Sequence, residues 1–205
     1  GGTSPNGKLY EWNDINAWVQ VAPKLGAETE IRSLAVYNGK LYGGTYQLGK
    51  LYEWNDVNAW VQVAPQLNGQ ISIHSLAVYN GKLYGGTSLL GNLFEWNDVN
   101  AWVLVAPKGG LENAIYSLAA YNGKLYGGTS PNGRLHEWND VNAWVQVAPQ
   151  FGTEDYIYSL AVFNDKLYGG SGGVGVNGRL LEWDNRGITR IGFAAYTGGV
   201  CKGLV

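Results

Sequence analysis

The chain repeats itself, and the repeat limits what it can fold into. Leu9-Tyr10-Glu11-Trp12 returns as Leu51-Tyr52-Glu53-Trp54, Leu93-Phe94-Glu95-Trp96, Leu135-His136-Glu137-Trp138 and Leu180-Leu181-Glu182-Trp183, at spacings of 42, 42, 42 and 45 residues. A fixed period of this length marks an array whose units bury their apolar surface only against their neighbours. A second tryptophan follows six residues after the first in four copies (Trp18, Trp60, Trp102, Trp144), and Ile188 stands in its place in the last. Units this alike point to recent duplication or to deliberate design, and an amplified array without a dedicated ligand is one possible outcome.

Within a unit, turn residues divide the chain into four short β-type runs, such as Ile31–Asn38, Lys40–Thr45, Lys50–Trp54 and Trp60–Ala64. Asn38-Gly39, Asn80-Gly81 and Asn122-Gly123 are two-residue hairpin signals, because a type I′ turn needs positive φ at both central residues; Asn164-Asp165 is a weaker version. The double glycines, as at Gly43-Gly44, sit inside a strand and mark close approach of a neighbour. A hairpin closed by Tyr46–Gly49 sets Gly43 opposite Tyr52 and Gly44 opposite Leu51, with bulky side chains over bare backbone. Asn55-Asp56-Val57-Asn58-Ala59 then supplies a turn at whose base Trp54 and Trp60 meet as a cross-strand pair.

Four antiparallel strands in about 42 residues match one propeller blade. The expected fold is all-β: a single domain over residues 1–205 forming a five-bladed β-propeller of four-stranded antiparallel blades. Four blades cover about 31–64, 73–106, 115–148 and 157–191. The fifth combines 1–22 with 193–205, so that terminal strands share one blade and close the ring. Phe193 to Cys201 aligns with Leu34 to Tyr42 as the first two strands of that blade, although the loop that precedes a first strand elsewhere is missing before Phe193.

The run Ala35-Val36-Tyr37-Asn38-Gly39-Lys40-Leu41-Tyr42-Gly43-Gly44, followed by Leu51-Tyr52-Glu53-Trp54 and Asn58-Ala59-Trp60-Val61-Gln62-Val63-Ala64-Pro65, resembles the kelch repeat, which couples apolar residues and a di-glycine to a spaced pair of aromatics. The resemblance covers nearly the whole chain and implies a propeller. It implies less about function, since kelch-type propellers include interaction domains and a class of copper oxidase. The units are short for kelch and five blades are few, so a five-bladed lectin-like propeller is the alternative relative.

Composition narrows the partners. Charged residues make up 15% of the chain and the net charge is −2, with no basic face to neutralise phosphates, so nucleic acid is not expected. No apolar run reaches the ~18 residues of a membrane helix, and the chain reads as soluble and monomeric. It opens on Gly1-Gly2 without methionine, as a trimmed segment of something longer does, so its compartment is not legible. The lone Cys201 reads as a packing thiol.

Antiparallel order places the two longer loops of every unit on one face and the Asn-Gly and Asn-Asp turns on the other. The short-turn face hardly varies between copies. The long-loop face does: Lys24–Glu30, Gln66–Ser72, Lys108–Ala114 and Gln150–Tyr156 differ, as do the loops beginning at Ser4, Tyr46, Ser88 and Gly172. One position inside the otherwise repeated first strand also changes, reading Arg32, His74, Tyr116 and Tyr158. If that strand is innermost, these four ring the mouth of the central channel. With Tyr46 and Tyr156 they form the candidate ligand site, since long loops on a rigid scaffold commonly carry binding.

The expected function is therefore non-catalytic recognition or scaffolding, with a protein, peptide or other ligand on the long-loop face and no cofactor or metal. The alternative is a multivalent lectin with up to five equivalent inter-blade sites, each offering tryptophan, glutamate and asparagine to a sugar. On the competing structural view the tryptophans are inter-blade core, and Glu53 and its copies pair with Tyr hydroxyls, Lys or backbone N–H. No enzyme is expected. His74 and His136 hold non-equivalent positions and lack triad partners, and metal chemistry wants more His or Cys. Glu28, Glu30, Glu112, Glu154 and Asp155 could serve a hydrolase but read as solvated loop charge. The Gly-rich run Ser171–Gly178 lacks the lysine and helix of a phosphate cradle and reads as an extended loop.

Overall fold

The computed structural model describes residues 1–67, 69–107, 112–173, 175–184 and 188–190. Strands β1 (Leu9–Trp12) and β2 (Trp18–Ala22) make a two-stranded sheet. Four antiparallel four-stranded blades follow in chain order. Blade 1 is β3 (Ile31–Tyr37), β4 (Lys40–Thr45), β5 (Leu51–Trp54) and β6 (Trp60–Ala64); blade 2 is β7 (Ile73–Tyr79), β8 (Lys82–Thr87), β9 (Leu93–Trp96) and β10 (Trp102–Ala106). Blade 3 is β11 (Ala114–Tyr121), β12 (Lys124–Ser130), β13 (Leu135–Trp138) and β14 (Trp144–Ala148); blade 4 is β15 (Tyr156–Phe163), β16 (Lys166–Gly173), β17 (Val176–Trp183) and β18 (Ile188–Arg190).

The first strands lie side by side, β3 against β7, β7 against β11 and β11 against β15, as the innermost strands of an all-β propeller do. The count expected from the sequence needs correction. The described residues hold four complete blades and a two-stranded sheet, not five blades. β1 and β2 are the outer half of a unit, extended inward only by the bridge from Gly2 to Leu9. The inner half is expected from 193–205, which lie outside the described residues, as does Cys201.

Local chemistry sets the hairpins. Asn38 and Gly39 have φ of 47° and 73°, the left-handed pair a tight hairpin requires. At the outer turn the Asn55 side-chain oxygen accepts the N–H groups of Val57, Asn58 and Ala59 at 3.0, 3.0 and 2.9 Å, which lets Asp56 hold φ of 60°. Gly43 pairs with Tyr52, Gly44 with Leu51 and Trp54 with Trp60. The Trp54 and Trp60 rings meet edge to face, centroids 5.7 Å apart. In blade 4, Ile188 does take the second tryptophan's place, opposite Trp183.

The bulky groups over the glycines are not the cross-strand Tyr52 and Leu51 that the hairpin suggests. A Cβ on Gly43 would lie 3.1 Å from the Trp60 ring of its own blade, and one on Gly44 would lie 2.7 Å from Ile73 of the next. The di-glycine is thus where one blade is keyed into another. Each apolar cluster spans two neighbours: Tyr37, Tyr42 and Leu51 pack with Ile73, Leu83, Phe94 and Trp96, and the pattern recurs between blades 2 and 3 and between 3 and 4. Trp138 meets Tyr79 edge to face at 6.2 Å and Tyr84 at a tilt at 5.2 Å, both on the preceding blade. Burying each such ring is worth roughly 2–3 kcal/mol. Polar bonds cross the same seams, from Ser33, Ser75 and Ser117 hydroxyls to the carbonyls of Ile73, Ile115 and Ile157.

Candidate functional site

The variable first-strand position has a structural identity that its sequence hides. In β3, Ile31 pairs with Thr45 and Ser33 with Gly44, leaving Arg32 as an extra residue. The same skip falls at His74, Tyr116 and Tyr158. Each is a β-bulge, a device that locally twists a strand and re-aims one side chain. A register skip between near-identical strands carries no residue signature, so it was not readable beforehand.

The bulges gather the candidate residues into one arc. The Arg32 guanidinium lies 4.6 Å over the Tyr46 ring and is ion-paired with Glu30. His74 stacks on Tyr116 at 4.5 Å. Tyr116 meets Tyr156 and Tyr158 edge to face at 5.4 and 5.6 Å, and those two rings stack at 4.9 Å. Arg32 thus lies with Tyr46, and His74, Tyr116, Tyr156 and Tyr158 form a continuous run of stacked and edge-to-face ring contacts. Arg32 and Tyr158 are exposed and the rest half-buried.

The arc is electrically quiet. Burial, reinforced by the neighbouring Arg32 charge, pulls His74 down to about 4, so it is neutral near pH 7. Burial, then the other two tyrosines, pushes the Tyr116 hydroxyl up, and burial does the same to Tyr158, with Tyr156 and Asp155 adding to it. Glu30 neutralises Arg32.

The loop carboxylates behave differently from the solvated charges expected. Glu28, Glu112 and Glu154 are buried, and each meets the cation that directly precedes the repeated leucine of its own blade's third strand: Lys50 at 3.4 Å, Arg134 at 3.1 Å and Arg179 at 2.8 Å. Blade 2 has Gln70 and Asn92 at these two places. The signal was available, since acid and base change together between copies, but the partners lie more than twenty residues apart and their pairing needs the fold. These ion pairs anchor the long loops.

On the opposite face, Glu53 accepts from Lys40 at 2.7 Å and from the Tyr42 hydroxyl at 3.0 Å, and the arrangement recurs at Glu95. Trp54, Trp96, Trp138 and Trp183 are buried. In these blades the tryptophans and glutamates on which the multivalent sugar reading rests are thus engaged in the fold. Among the described residues no three His, Cys, Asp or Glu side chains gather to hold a metal ion, and no helix is long and apolar enough to cross a membrane.

No protein-family model matches the chain, and no curated protein matches it. Solved structures do. A catalytically inactive virginiamycin B lyase from Staphylococcus aureus, solved with quinupristin, is similar with a TM-score of 0.64 at 11% identity over 82% of this chain and 57% of that one. The WD40 β-propeller domain of Doa1 is similar with a TM-score of 0.58 at 15% identity over 87% of this chain and 59% of the other. The chain spans less than two thirds of either neighbour. The expectation that no enzyme is at hand is overturned, because one neighbour is a lyase and the fold therefore gives no ground for excluding catalysis. With no family model matching, the kelch resemblance is not carried beyond a propeller repeat fold. At such identities the likeness establishes the fold alone, and the chain is a repeat-built β-propeller.

Proposed function

We propose that the chain is a recognition module whose long-loop face binds a protein or peptide at the arc of Arg32, Tyr46, His74, Tyr116, Tyr156 and Tyr158. One observation carries this reading: the residue that differs from blade to blade is the residue each bulge turns out of the repeated ladder. Variation at the bulged position, where His74, Tyr116, Tyr156 and Tyr158 touch ring to ring and Arg32 lies over Tyr46, supports a single asymmetric site. In the same reading residues 1–205 form one monomeric domain of kelch-like blades.

A glycan reading keeps one supporting feature, a crevice of about 430 Å³ between blades 3 and 4 lined by Asn122, Lys124, Tyr126, Glu137, Val147 and Trp183. Peptide and glycan arrays probed with the wild type and with a Tyr116→Ala/Tyr158→Ala variant separate the two. Peptide hits weakened at least about tenfold in a variant of unchanged fold support the mouth. Hits indifferent to the substitutions, or glycan hits lost on Glu137→Gln instead, overturn it.

A further inference from the structure

The loops flanking the arc add a feature the repeat does not need. Residues 46–49 and 88–91 occupy the same place in blades 1 and 2, between second and third strands. In blade 1 Tyr46 covers Arg32. In blade 2 the corresponding Ser88 is buried, its N–H bonded to the Ser72 carbonyl, and Leu89 and Leu90 stand out at 51% and 46% exposure. Ile71, next to Ser72, is also exposed. Leu89 holds φ of 69°, a left-handed backbone that a leucine adopts only at a cost. The turn itself does not call for leucine, since Gln47 makes it at φ of 75° in blade 1. This exposed pair of leucines stands on a loop packed between the segments that lead into His74 and Tyr116, with Ser88 bonded to Ser72 and Gly91 against the backbone of Glu112 to Ala114.

The charge pattern narrows what meets this surface. Arg32 is already paired with Glu30, Asp155 lies near Tyr158 and His74 is neutral, so an acidic ligand finds no unpaired cation in the arc and meets Asp155, while a basic one meets Arg32. What the mouth offers is flat ring faces and two aliphatic side chains. Proline in an extended segment presents flat apolar rings, carries no charge and is ordered before binding.

We infer that the long-loop mouth takes an uncharged, proline-bearing peptide segment, stacked on Tyr116 and Tyr158 and flanked by Leu89 and Leu90. This rests on the reading of the mouth as the ligand site. The test is calorimetric titration of the 205-residue chain with decaproline, acetylated and amidated to remove its charges, beside decaglutamate, decalysine and maltohexaose. Decaproline is expected to saturate the protein with little change between about 50 and 500 mM salt. Tyr158→Ala is expected to weaken it about tenfold. Leu89→Asn is expected to weaken binding while raising Tm, since asparagine tolerates the left-handed backbone better. A comparator that binds in Tyr158-dependent fashion while decaproline does not overturns the proline assignment and leaves the mouth standing. If no probe binds in a manner sensitive to Tyr158, both fall.

Discussion

At the scale of single residues, space and protonation decide the outcome. A Cβ at Gly86 would come within 2.7 Å of Ile115 in the next blade, whereas one at Gly81 meets nothing within 4 Å. Gly86→Ala is therefore expected to lower stability by about 1–3 kcal/mol through overpacking. Gly81→Ala is expected to cost about 1 kcal/mol, from its φ of 72° alone. Urea titration of the two variants compares them directly; equal losses would refute the keyed-seam explanation. His74 supplies a pH signature. Its pKa falls from 6.5 to about 4 on folding, so the unfolded chain binds the extra proton between those values. Its contribution is complete above about pH 6.5 and is lost as pH falls through that window toward 4. Buried His136, also pulled down, acts with the same sign. His74→Phe should flatten the stability profile between pH 6.5 and 4, and His136→Phe, which copies Phe94 in blade 2, should flatten it as pH falls below 6.5.

Between elements, the buried carboxylates tie loop to strand. Arg134→Asn leaves Glu112 buried without its cation and is expected to cost about 3 kcal/mol. Adding Glu112→Gln, which reproduces the pair of blade 2, is expected to recover most of the loss, as a double-mutant cycle in denaturant would measure. Additive losses would mean that Glu112 and Arg134 act independently. By contrast, the exposed Lys82–Glu95 pair at 2.6 Å is screened by solvent, and Lys82→Ala is expected to change stability little.

For the molecule as a whole, blade-to-blade contact is the unit of stability, and tyrosine is its recurrent part. Tyr79 shares its hydroxyl proton between the Gly123 carbonyl and the Asp140 carboxylate of the next blade, at 2.9 and 3.1 Å. Burial, followed by the Glu53 hydrogen bond, pushes Tyr42 up to about 12; burial and Glu137 do the same to Tyr126; Tyr37, Tyr79 and Tyr84 rise as well. The unfolded chain loses these protons first, so stability is full below about pH 10 and falls as pH rises from there toward 12. Tyrosine absorbance should titrate late and together with loss of β circular dichroism. Early titration with the fold intact would show that the hydroxyls are not held at the seams. The array also leaves two sheet faces uncovered among the described residues: Trp12 is 42% exposed and Phe163 64%, where the equivalent Trp54 and Tyr37 are buried.

What the sequence determines by itself is what neighbouring residues can enforce. The 42-residue period, the Asn-Gly hairpins, the pairing of Gly43 with Tyr52 and of Trp54 with Trp60, and the choice of Arg32, His74, Tyr116 and Tyr158 as the odd positions all follow from turn chemistry and comparison of copies. The tertiary structure alone decides that Ile73 fills the space over Gly44, that the odd positions are bulges whose rings touch, and that Glu28, Glu112 and Glu154 are buried against cations rather than solvated. The physical reason is range. Hairpin hydrogen bonds close over a few residues, whereas the contacts that key the blades join residues 40 or 44 positions apart and exist only once neighbouring sheets have packed.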